Sequence, residues 1–558
     1  MNISEFKPIL PIPSKIQREW MSREKTIFFH FGINTFSGKE WGDGTEDPAI
    51  FNPTELDCRQ WIRTIKNAGF TAAILTAKHH DGFCLWPSKY TEFSIKNSPY
   101  KNGKGDIVRE FTDACREYGI KAGLYISPWD RNSKLWGTPE YDEYFINQLT
   151  ELLTDYGKIY ECWWDGAGSE AAKYNFGRWA FTVRSLQPEC ALFSSGNAVV
   201  YSDCRWSGNE NGLVKSPCYA TVNYDDIINK NSKALAQGSS DGTVFKPAEA
   251  DVSSRPGWFY HPYQDKYSKN PAQMLYIWLN SCGSNASLLY NLPPDTRGLI
   301  SDIDAKNVTE FGNILKRSFA VNLINDAKIS TDSIYSEKYS PYHMLFDNRD
   351  NFYASSVKTP EITFEINEKR KINCFKLSEI PEAGYRISGF EIYAKINGNF
   401  ELITSGECVG YLTAEYFEEI ETDEIKLKIT SAKYIPLISH FGVYLLDTIP
   451  QNSKTIYEDS DNLVKNADVT IKENEYLINL GGIFPYNTII FDGTGVEEYD
   501  LLTFNGAKWD FECSGKNPTE KEICEIRNIT WSYQLKLVIK SGKLKNPSSL
   551  EVYYKKRK

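Results

Sequence analysis

Residues 106–127 read DIVREFTDACREYGIKAGLYIS, which is a helix pattern, a glycine and a buried strand in succession. The helix pattern opens at Asp106, a favourable N-cap residue, and repeats apolar residues on one face. Gly119 can adopt the left-handed conformation that ends a helix. The run 122–127 is apolar nearly throughout, as expected for a strand covered on both faces. The segment therefore predicts one helix–strand unit of an α/β fold.

The same order of helix, glycine and strand occurs twice more. Helix patterns that end at Gly69 and Gly157 precede apolar runs at 71–77 and 159–165. The run 27–32 is also apolar and of strand length, and fainter runs occur at 191–193, 204–206, 249–252 and 286–290. Eight candidate strands in about 270 residues fit a (β/α)8 barrel of the TIM type better than an open doubly wound sheet. No glycine-rich phosphate loop of the Rossmann or Walker type follows any of them.

After about residue 325 the helical period disappears and strand-length alternation replaces it. Asn397-Gly398 is a strong signal for a two-residue hairpin turn. A polar stretch at 450–454 has the composition of a linker. The sequence therefore predicts three domains. A barrel domain occupies residues 1–325, and two all-β domains of the β-sandwich kind occupy residues 326–450 and 451–558.

Composition and charge exclude some classes of partner. The 558 residues carry a net charge of −10, whereas binding nucleic-acid phosphates calls for basic patches. No run of 18 apolar residues occurs, so no membrane span is expected. The 12 cysteines lack CxxC spacing, so a zinc site is not expected. Five of them lie within apolar patterns and are predicted to be buried free thiols: Cys58, Cys115, Cys162, Cys204 and Cys374. Disulfides stay open as an alternative without sequence support. Aromatic residues reach 14%, which suits stacking on sugar rings and equally suits large cores.

The start of the chain, residues 1–8, lacks the basic-then-apolar pattern of a secretory signal peptide. We therefore expect a cytoplasmic protein, or a periplasmic or secreted one whose export signal is not part of the sequence. The residues leave this choice open.

Two carboxylates follow predicted strands at points where the chain opens into glycine-containing loops. Asp165 ends the run 161–166, and Glu210 ends the run 205–210. In a barrel, the C-terminal ends of the strands converge on one face. Two carboxylates at one cavity are the groups that cleave glycosidic bonds. A helix N-cap is the structural alternative for Asp165, and for the second carboxylate the residues alone leave Glu249 and Asp251 as competitors.

Other polar and aromatic side chains lie at or just past the predicted strand ends. The candidates for substrate binding are His30, Glu40, Trp41, His79, His80, Tyr125, Trp163, Arg205 and Trp258. The three histidines lack the His-x-His spacing that puts two imidazoles on one face of a strand. We therefore predict neutral hydrogen bonding to sugar hydroxyls, with neither a metal nor a cofactor. Core histidines, a packed surface turn and ordinary core tryptophans are the structural alternatives.

Five motifs lie in order through the first 300 residues. They are His30-Phe31-Gly32, Glu40-Trp41, Lys78-His79-His80-Asp81-Gly82-Phe83, Trp163-Trp164-Asp165-Gly166 and Leu292-Pro293-Pro294-Asp295-Thr296-Arg297-Gly298. Together they resemble the α-L-fucosidases of glycoside hydrolase family 29. The resemblance implies that Asp165 is the nucleophile. It also implies fucose-binding roles for His30, Glu40, Trp41, His79, His80 and Tyr125, with Arg205 reaching the sugar and Trp258 packing on its methyl group.

The segment 205–210, followed by 248–252 and 255–261, is similar to the subfamily that acts on α-1,3/1,4-linked fucose. In that group the glutamate of the Gly-Asn-Glu motif is the acid/base, which implies Glu210 here, with Glu249 as the fallback. The implied reaction is a retaining double displacement on Lewis-type glycans, with carboxyl groups roughly 5–6 Å apart. Residues 344–446 resemble a discoidin-like β-sandwich of the kind attached to such fucosidases.

Three alternatives to this function stay open. One is a broad-specificity α-L-fucosidase that also cleaves α-1,2 linkages. Another is an enzyme of the same fold that acts on a different deoxy or galacto-configured sugar. The third is an inactive glycan-binding protein, which the presence of both Asp165 and Glu210 disfavours, because a lectin has no need of that pair.

Overall fold

Eight parallel strands form the first sheet of the protein, whose computed structural model describes residues 3–168, 173–452, 460–504 and 509–555. Numbered in chain order, they are β1 Lys25–Phe29, β2 Ala72–Lys78, β3 Lys121–Ile126, β4 Glu161–Trp164, β5 Ala191–Ser194, β6 Arg205–Trp206, β7 Ala248–Ser253 and β8 Ala286–Asn291. Their order across the sheet is β5-β4-β3-β2-β1-β8-β7-β6. Each of the eight runs predicted from the sequence coincides with one of these strands.

The sheet curls into an almost closed barrel. Within the described residues, its edge strands β5 and β6 share no ladder, but the Asp203 N–H donates to the Leu192 carbonyl at 2.8 Å and bridges the gap. Apolar side chains fill the interior, among them Phe28, Ile74, Tyr125, Trp163, Phe193 and Leu289. As in TIM barrels, the interior is a packed core, so a ligand can enter only at an end.

Helices pack around the barrel, and the glycines predicted to end three of them do so. The longer helices are Lys15–Met21, Cys58–Asn67, Ile107–Tyr118, Tyr141–Thr154, Phe176–Leu186, Pro271–Leu279 and Asp302–Ser318. Gly69, Gly119 and Gly157 have φ values of 76°, 70° and 80°. The Asp106 side chain accepts a hydrogen bond from the Arg109 N–H at 2.9 Å, as an N-cap does.

A small insertion between β6 and β7 was not indicated by the sequence pattern. It contains the paired strands Thr221–Val222 and Val244–Phe245 and the short helices Tyr224–Ile228 and Ser232–Gln237. A further short helix, Ile33–Ser37, follows β1.

An antiparallel sheet of seven strands follows the barrel. Its strands are Lys328–Thr331, Tyr353–Ala354, Glu361–Glu379, Ile387–Ile396, Asn399–Gly406, Thr413–Ala432 and Leu437–Tyr444. Asn397 and Gly398 connect two of them with φ values of 51° and 87°, which confirms the predicted hairpin turn. The sheet is tied to the barrel by backbone bonds, such as that from the Ala414 N–H to the Gly283 carbonyl at 2.8 Å.

A second antiparallel sheet, of six strands, lies within the last part of the chain. Its strands are Asp468–Lys472, Glu475–Phe491, Val496–Phe504, Trp509–Lys516, Glu522–Gly542 and Glu551–Tyr553. It has a core of its own, around Tyr486, Leu501 and Leu537. We call this unit the last β domain. A parallel barrel followed by antiparallel sheets is the fold class that the sequence predicted.

All 12 cysteines are free thiols, and the five that were predicted to be buried free thiols are buried. Over the described ranges, no helix is both long enough and apolar enough to cross a membrane.

Candidate active site

Asp165 lies directly after β4, at the C-terminal end of the barrel. Its Oδ2 accepts a hydrogen bond from the Tyr125 hydroxyl at 3.0 Å, and its Oδ1 accepts one from the Ala167 N–H at 2.9 Å. The Nε2 of His80 is 3.7 Å from Oδ2, and the side chain remains 28% exposed. Two donors therefore hold this carboxyl group in one orientation and leave part of it open to a ligand.

Glu210 lies in the loop after β6, at the mouth of the same cavity. The Trp258 indole N–H donates to its Oε2 at 3.2 Å. Although the residue is exposed at the mouth, the surrounding protein displaces water from the carboxyl group and so raises the pKa of Glu210. The indole bond lowers that pKa, and the negative charges of Asp165 and Glu40 raise it again. Glu210 is thus placed where a carboxyl group keeps its proton at higher pH than in water.

His30, His79 and His80 form a cluster of buried imidazoles beside these carboxyl groups. The ring centres of His79 and His80 are 4.1 Å apart, and those of His30 and His79 are 5.7 Å apart. Burial lowers the pKa of all three, that of His30 to about 3, so the rings are neutral. Both histidines of the pair can face one ligand because β2 ends just before them. In the described part of the chain, no group of three or more His, Cys, Asp or Glu side chains could hold a metal ion.

Indole rings stand around the histidine cluster. Trp41 meets His80 edge to face, with ring centres 5.1 Å apart, and Trp258 lies 5.0 Å from His30. Trp129, which the sequence analysis did not single out, lies 5.3 Å from His80. The site therefore combines neutral hydrogen-bonding groups with aromatic rings, the combination found in small-molecule pockets.

Glu40 holds the loop that follows β7. Its Oε2 accepts from the Trp258 N–H at 2.8 Å and its Oε1 from the Phe259 N–H at 3.3 Å, and the His261 Nε2 lies 2.8 Å from Oε1. A Cβ on Gly257 would come within 2.2 Å of Oε1, so glycine is needed there. Glu40 thus organises the loop behind Trp258, and a contact with sugar would come in addition to these bonds.

Trp163 and Glu249 lie below the site, in the barrel interior. The Trp163 ring stacks on Phe193 with centres 4.1 Å apart, and its indole N–H donates to Glu249 at 2.9 Å. Burial, assisted by the charge of Glu161, raises the pKa of Glu249 well above its usual value. Glu249 is only 2% exposed. Glu249 precedes Asp251 on β7 and so lies deeper in the barrel, with its carboxyl group bonded to Trp163. The fallback acid/base of the sequence analysis is therefore less well placed than Glu210 to reach a substrate.

Arg205 also lies away from the cavity. Its guanidinium donates to the main-chain carbonyls of Lys246 at 3.1 Å, of Tyr219 at 2.5 Å and of Leu235, and the side chain is fully buried. Neighbouring residues of a strand point to opposite faces. Trp206 points into the barrel, and Arg205 points out. The expectation that Arg205 reaches the sugar does not agree with this position.

Asp251 is a third carboxyl group at the cavity. Its Oδ1 accepts a hydrogen bond from the Trp206 indole at 2.7 Å. Burial and the charge of Glu210 raise the pKa of Asp251 well above its usual value. A carboxyl group with a raised pKa holds its proton to higher pH than in water, and in that form it can both donate and accept a hydrogen bond.

Asn291 is a second site residue that the sequence analysis missed. It ends β8, its Oδ1 is 2.9 Å from the His30 Nδ1, and its amide donates to the Trp258 carbonyl at 2.8 Å. Like Trp129, which follows β3, it lies near a strand end. A search of every strand end for polar and aromatic residues would have found both.

Residues 11–318 match the family model described as Alpha-L-fucosidase. The chain is 40% identical over 453 residues to Alpha-L-fucosidase 1 of Arabidopsis thaliana, which covers 78% of this chain and 88% of that protein. A solved glycoside hydrolase 29 fucosidase of Ruminococcus gnavus, in complex with fucose, is 30% identical with a TM-score of 0.75. The match covers 80% of this chain and 97% of the Ruminococcus gnavus chain.

The similarity also extends beyond the barrel. A solved glycoside hydrolase 29 family member from an unknown rumen bacterium is 30% identical with a TM-score of 0.70, and it covers 96% of this chain and 97% of its own. The family model matches more than half of the 558 residues, and relatives match most of them. The chain therefore belongs to the alpha-L-fucosidases of glycoside hydrolase family 29.

Proposed function

We propose that this α-L-fucosidase releases L-fucose with retention of configuration, with Asp165 as the nucleophile and Glu210 as the acid/base. The contrast between the two carboxyl groups carries the proposal. Asp165 is aimed by two hydrogen-bond donors and remains partly open, whereas the surroundings of Glu210 raise its pKa. An oriented nucleophile and a carboxyl group that keeps its proton are the two halves of a double displacement.

The reaction would proceed in two steps. An Asp165 oxygen attacks the anomeric carbon while the glycosidic C–O bond breaks, and Glu210 gives its proton to the departing oxygen. A fucosyl ester of Asp165 results. Glu210, now ionised, takes a proton from water, whose oxygen attacks the same carbon and displaces the Asp165 carboxylate. Fucose leaves, and both carboxyl groups return to their starting states.

We propose that the histidine cluster binds the hydroxyl groups of fucose. Neutral imidazoles can donate and accept hydrogen bonds without the cost of burying a charge, and burial keeps His30, His79 and His80 neutral. The ring faces of Trp41 and Trp258 are suited to the C–H faces and the methyl group of the sugar.

We further propose that the preferred substrates carry α-1,3/1,4-linked fucose on a branched, Lewis-type core. The segment around Glu210 is similar to the subfamily with that preference. In such glycans a galactose lies next to the fucose, and Asp251, beside Glu210, is suited to hydrogen-bond it. Glu249, His261 and Asp251 are all buried, and their side chains are bonded to Trp163, Glu40 and Trp206 respectively. We favour Asp251 because, of the three, it is the one whose pKa is raised by the charges of both Glu210 and Asp165.

Retention can be tested by proton NMR of the first-formed sugar. We expect α-L-fucose, because two displacements at one carbon restore its configuration. The carboxyl groups should lie roughly 5–6 Å apart in a substrate complex, too close for an inverting water. Spectra must be taken before mutarotation mixes the anomers. If β-L-fucose appears first, Asp165 is not a covalent nucleophile.

Linkage preference can be tested by kcat/KM on Lewis a or Lewis x trisaccharide, 2′-fucosyllactose and a simple aryl fucoside. We expect the trisaccharide to be cleaved at least about a hundredfold faster than 2′-fucosyllactose. In 2′-fucosyllactose the fucose is attached to the galactose itself, so no galactose branch lies beside it and the polar groups that would bind this branch stay unpaired. Asp251→Ala should lower the ratio of kcat/KM on the trisaccharide to kcat/KM on 2′-fucosyllactose. The factor by which it lowers this ratio should be larger than the factor by which it lowers kcat/KM on the aryl fucoside. Comparable values on all three substrates would identify a broad-specificity fucosidase.

A further inference from the structure

The last β domain reaches the active-site face of the barrel through a stack of three aromatic rings. The Phe484 ring lies 4.5 Å from the Tyr263 ring at an interplanar angle of 25°. The Tyr263 ring lies 5.4 Å from that of His261, also at 25°. Phe484 belongs to the strand Glu475–Phe491, whereas the other two residues belong to the loop after β7. The stack therefore joins two parts of the chain that fold into separate sheets.

From His261 the contacts continue to the acid/base. The His261 Nε2 lies 2.8 Å from the Glu40 carboxylate. Glu40 accepts from the Trp258 and Phe259 N–H groups, and the Trp258 indole donates to Glu210. His261 is 3% exposed, so its ring has little freedom to find another partner. Each link between the ring stack and Glu210 is thus a direct contact.

Two further features bring the last β domain to this loop. The pairing of its strands shifts register between Asn479 and Phe484, and such irregularities re-aim a side chain out of the regular ladder. Gln451, in the segment that leads to the domain, bonds next to the same loop. Its N–H donates to the Ala272 carbonyl at 3.1 Å, and the Asn270 amide donates to its side chain at 3.2 Å.

Charged side chains of the barrel loops also act on Tyr533 of the last β domain. Tyr533 is half-buried, and burial raises its pKa. The positive charges of Arg131 and Lys39 lower this pKa, and the negative charge of Asp43 raises it. Lys39 and Asp43 flank Trp41 in the loop after β1. The loop after β1 therefore lies within electrostatic range of the last β domain.

We propose that Phe484 is a positioning residue of the active site. Its ring fixes Tyr263 and His261, and through them the Glu40 carboxylate that holds the Trp258 loop beside Glu210. The proposal deepens the proposed function, because the importance of the loop for catalysis rests on the role given to Glu210. The competing explanation is that the ring stack only closes the interface between the domains.

The test is Phe484→Ala in the full-length protein, with two readouts. Hydrogen–deuterium exchange in a peptide that contains Trp258 and Phe259 should become about 2- to 12-fold faster, the factor that corresponds to one aromatic pair. The kcat/KM on a fucosylated trisaccharide should fall by a similar factor, while Phe484→Tyr, which keeps the ring, should restore both readouts. If the alanine variant does not fold, Phe484→Leu replaces it, because leucine keeps apolar volume and lacks the ring.

Phe491→Leu is the matched control. Phe491 is 1% exposed in the core of the same domain and packs on Tyr499 at 5.0 Å, so its replacement lowers domain stability without touching the ring stack. It should change the melting temperature and leave exchange at Trp258 unaltered. If it speeds that exchange as much as Phe484→Ala does, stability rather than the ring is responsible, and the proposal fails.

A double-mutant cycle with His261→Gln gives the last criterion. If both residues act on Glu40 through one series of contacts, the effects of Phe484→Ala and His261→Gln should be clearly less than additive. Full additivity, or unchanged exchange in Phe484→Ala, would overturn the proposal. The exchange readout does not depend on turnover, so a failure of the assigned roles of Asp165 or Glu210 would be seen separately.

Discussion

Replacement of Asp165 by alanine is expected to lower kcat/KM on a natural fucosylated glycan by at least about a thousandfold, because the covalent route then disappears. The fold should survive, since the side chain is 28% exposed and its partners can bond water instead. Steady-state kinetics and a melting curve measure the two effects. Asp155→Ala, at an exposed helix end outside the cavity, is the matched control and should leave kcat/KM unchanged.

Azide makes the assignment of the nucleophile more specific. In Asp165→Ala, azide can occupy the space of the missing carboxylate and attack an activated aryl fucoside directly. One displacement inverts the configuration, so the product should be β-L-fucosyl azide. A variant that keeps more than a tenth of wild-type turnover on a natural glycan, and forms no such azide, would show that another group is the nucleophile.

Replacement of Glu210 by alanine is expected to slow natural glycans by about 10²- to 10⁴-fold, the usual contribution of general acid catalysis. Substrates with very good leaving groups need no protonation, so their first step should be spared. Azide should then attack the fucosyl ester in place of activated water and form α-L-fucosyl azide. The opposite anomers of fucosyl azide from the two variants thus separate the two roles.

The pH dependence follows from the surroundings of Glu210. Because they raise its pKa, the acid form persists to higher pH, and kcat/KM on natural glycans should fall as pH rises through that pKa. This fall should be absent for Glu210→Ala on an activated fucoside.

Glu249→Ala should lower stability, because it leaves the Trp163 indole unpaired. If Glu249→Ala instead abolished activity and Glu210→Ala did not, the roles would be exchanged.

Much of the barrel could be predicted because its signals are local. A glycine that must take a positive φ, such as Gly69 or Gly157, marks the end of a helix wherever the helix packs. Asp165 and the histidines could be proposed as site residues because the strand ends of a parallel barrel converge on one face. This convergence is a property of the topology, so it needs no knowledge of individual contacts.

Arg205 and Glu249 show where position along a strand is insufficient. Both lie on strands whose ends reach the site. Arg205 nevertheless points out of the barrel, and Glu249 lies in the barrel interior below the site. A shift of one residue reverses the face on which a side chain lies. β6 has only two residues, so its sequence contains too little alternation to decide the face.

The sequence by itself determined the order of helices and strands, the barrel and its antiparallel successors, and the strand ends at which Asp165 and Glu210 lie. Only the tertiary structure decided the surroundings of these groups, because the pKa of Glu210 depends on atoms from Trp258, Glu40 and Asp165. The ring contact between Phe484 and Tyr263 was likewise decided only by the tertiary structure. Those two residues are distant in the chain, and no local pattern encodes a contact made when two separately formed sheets pack together.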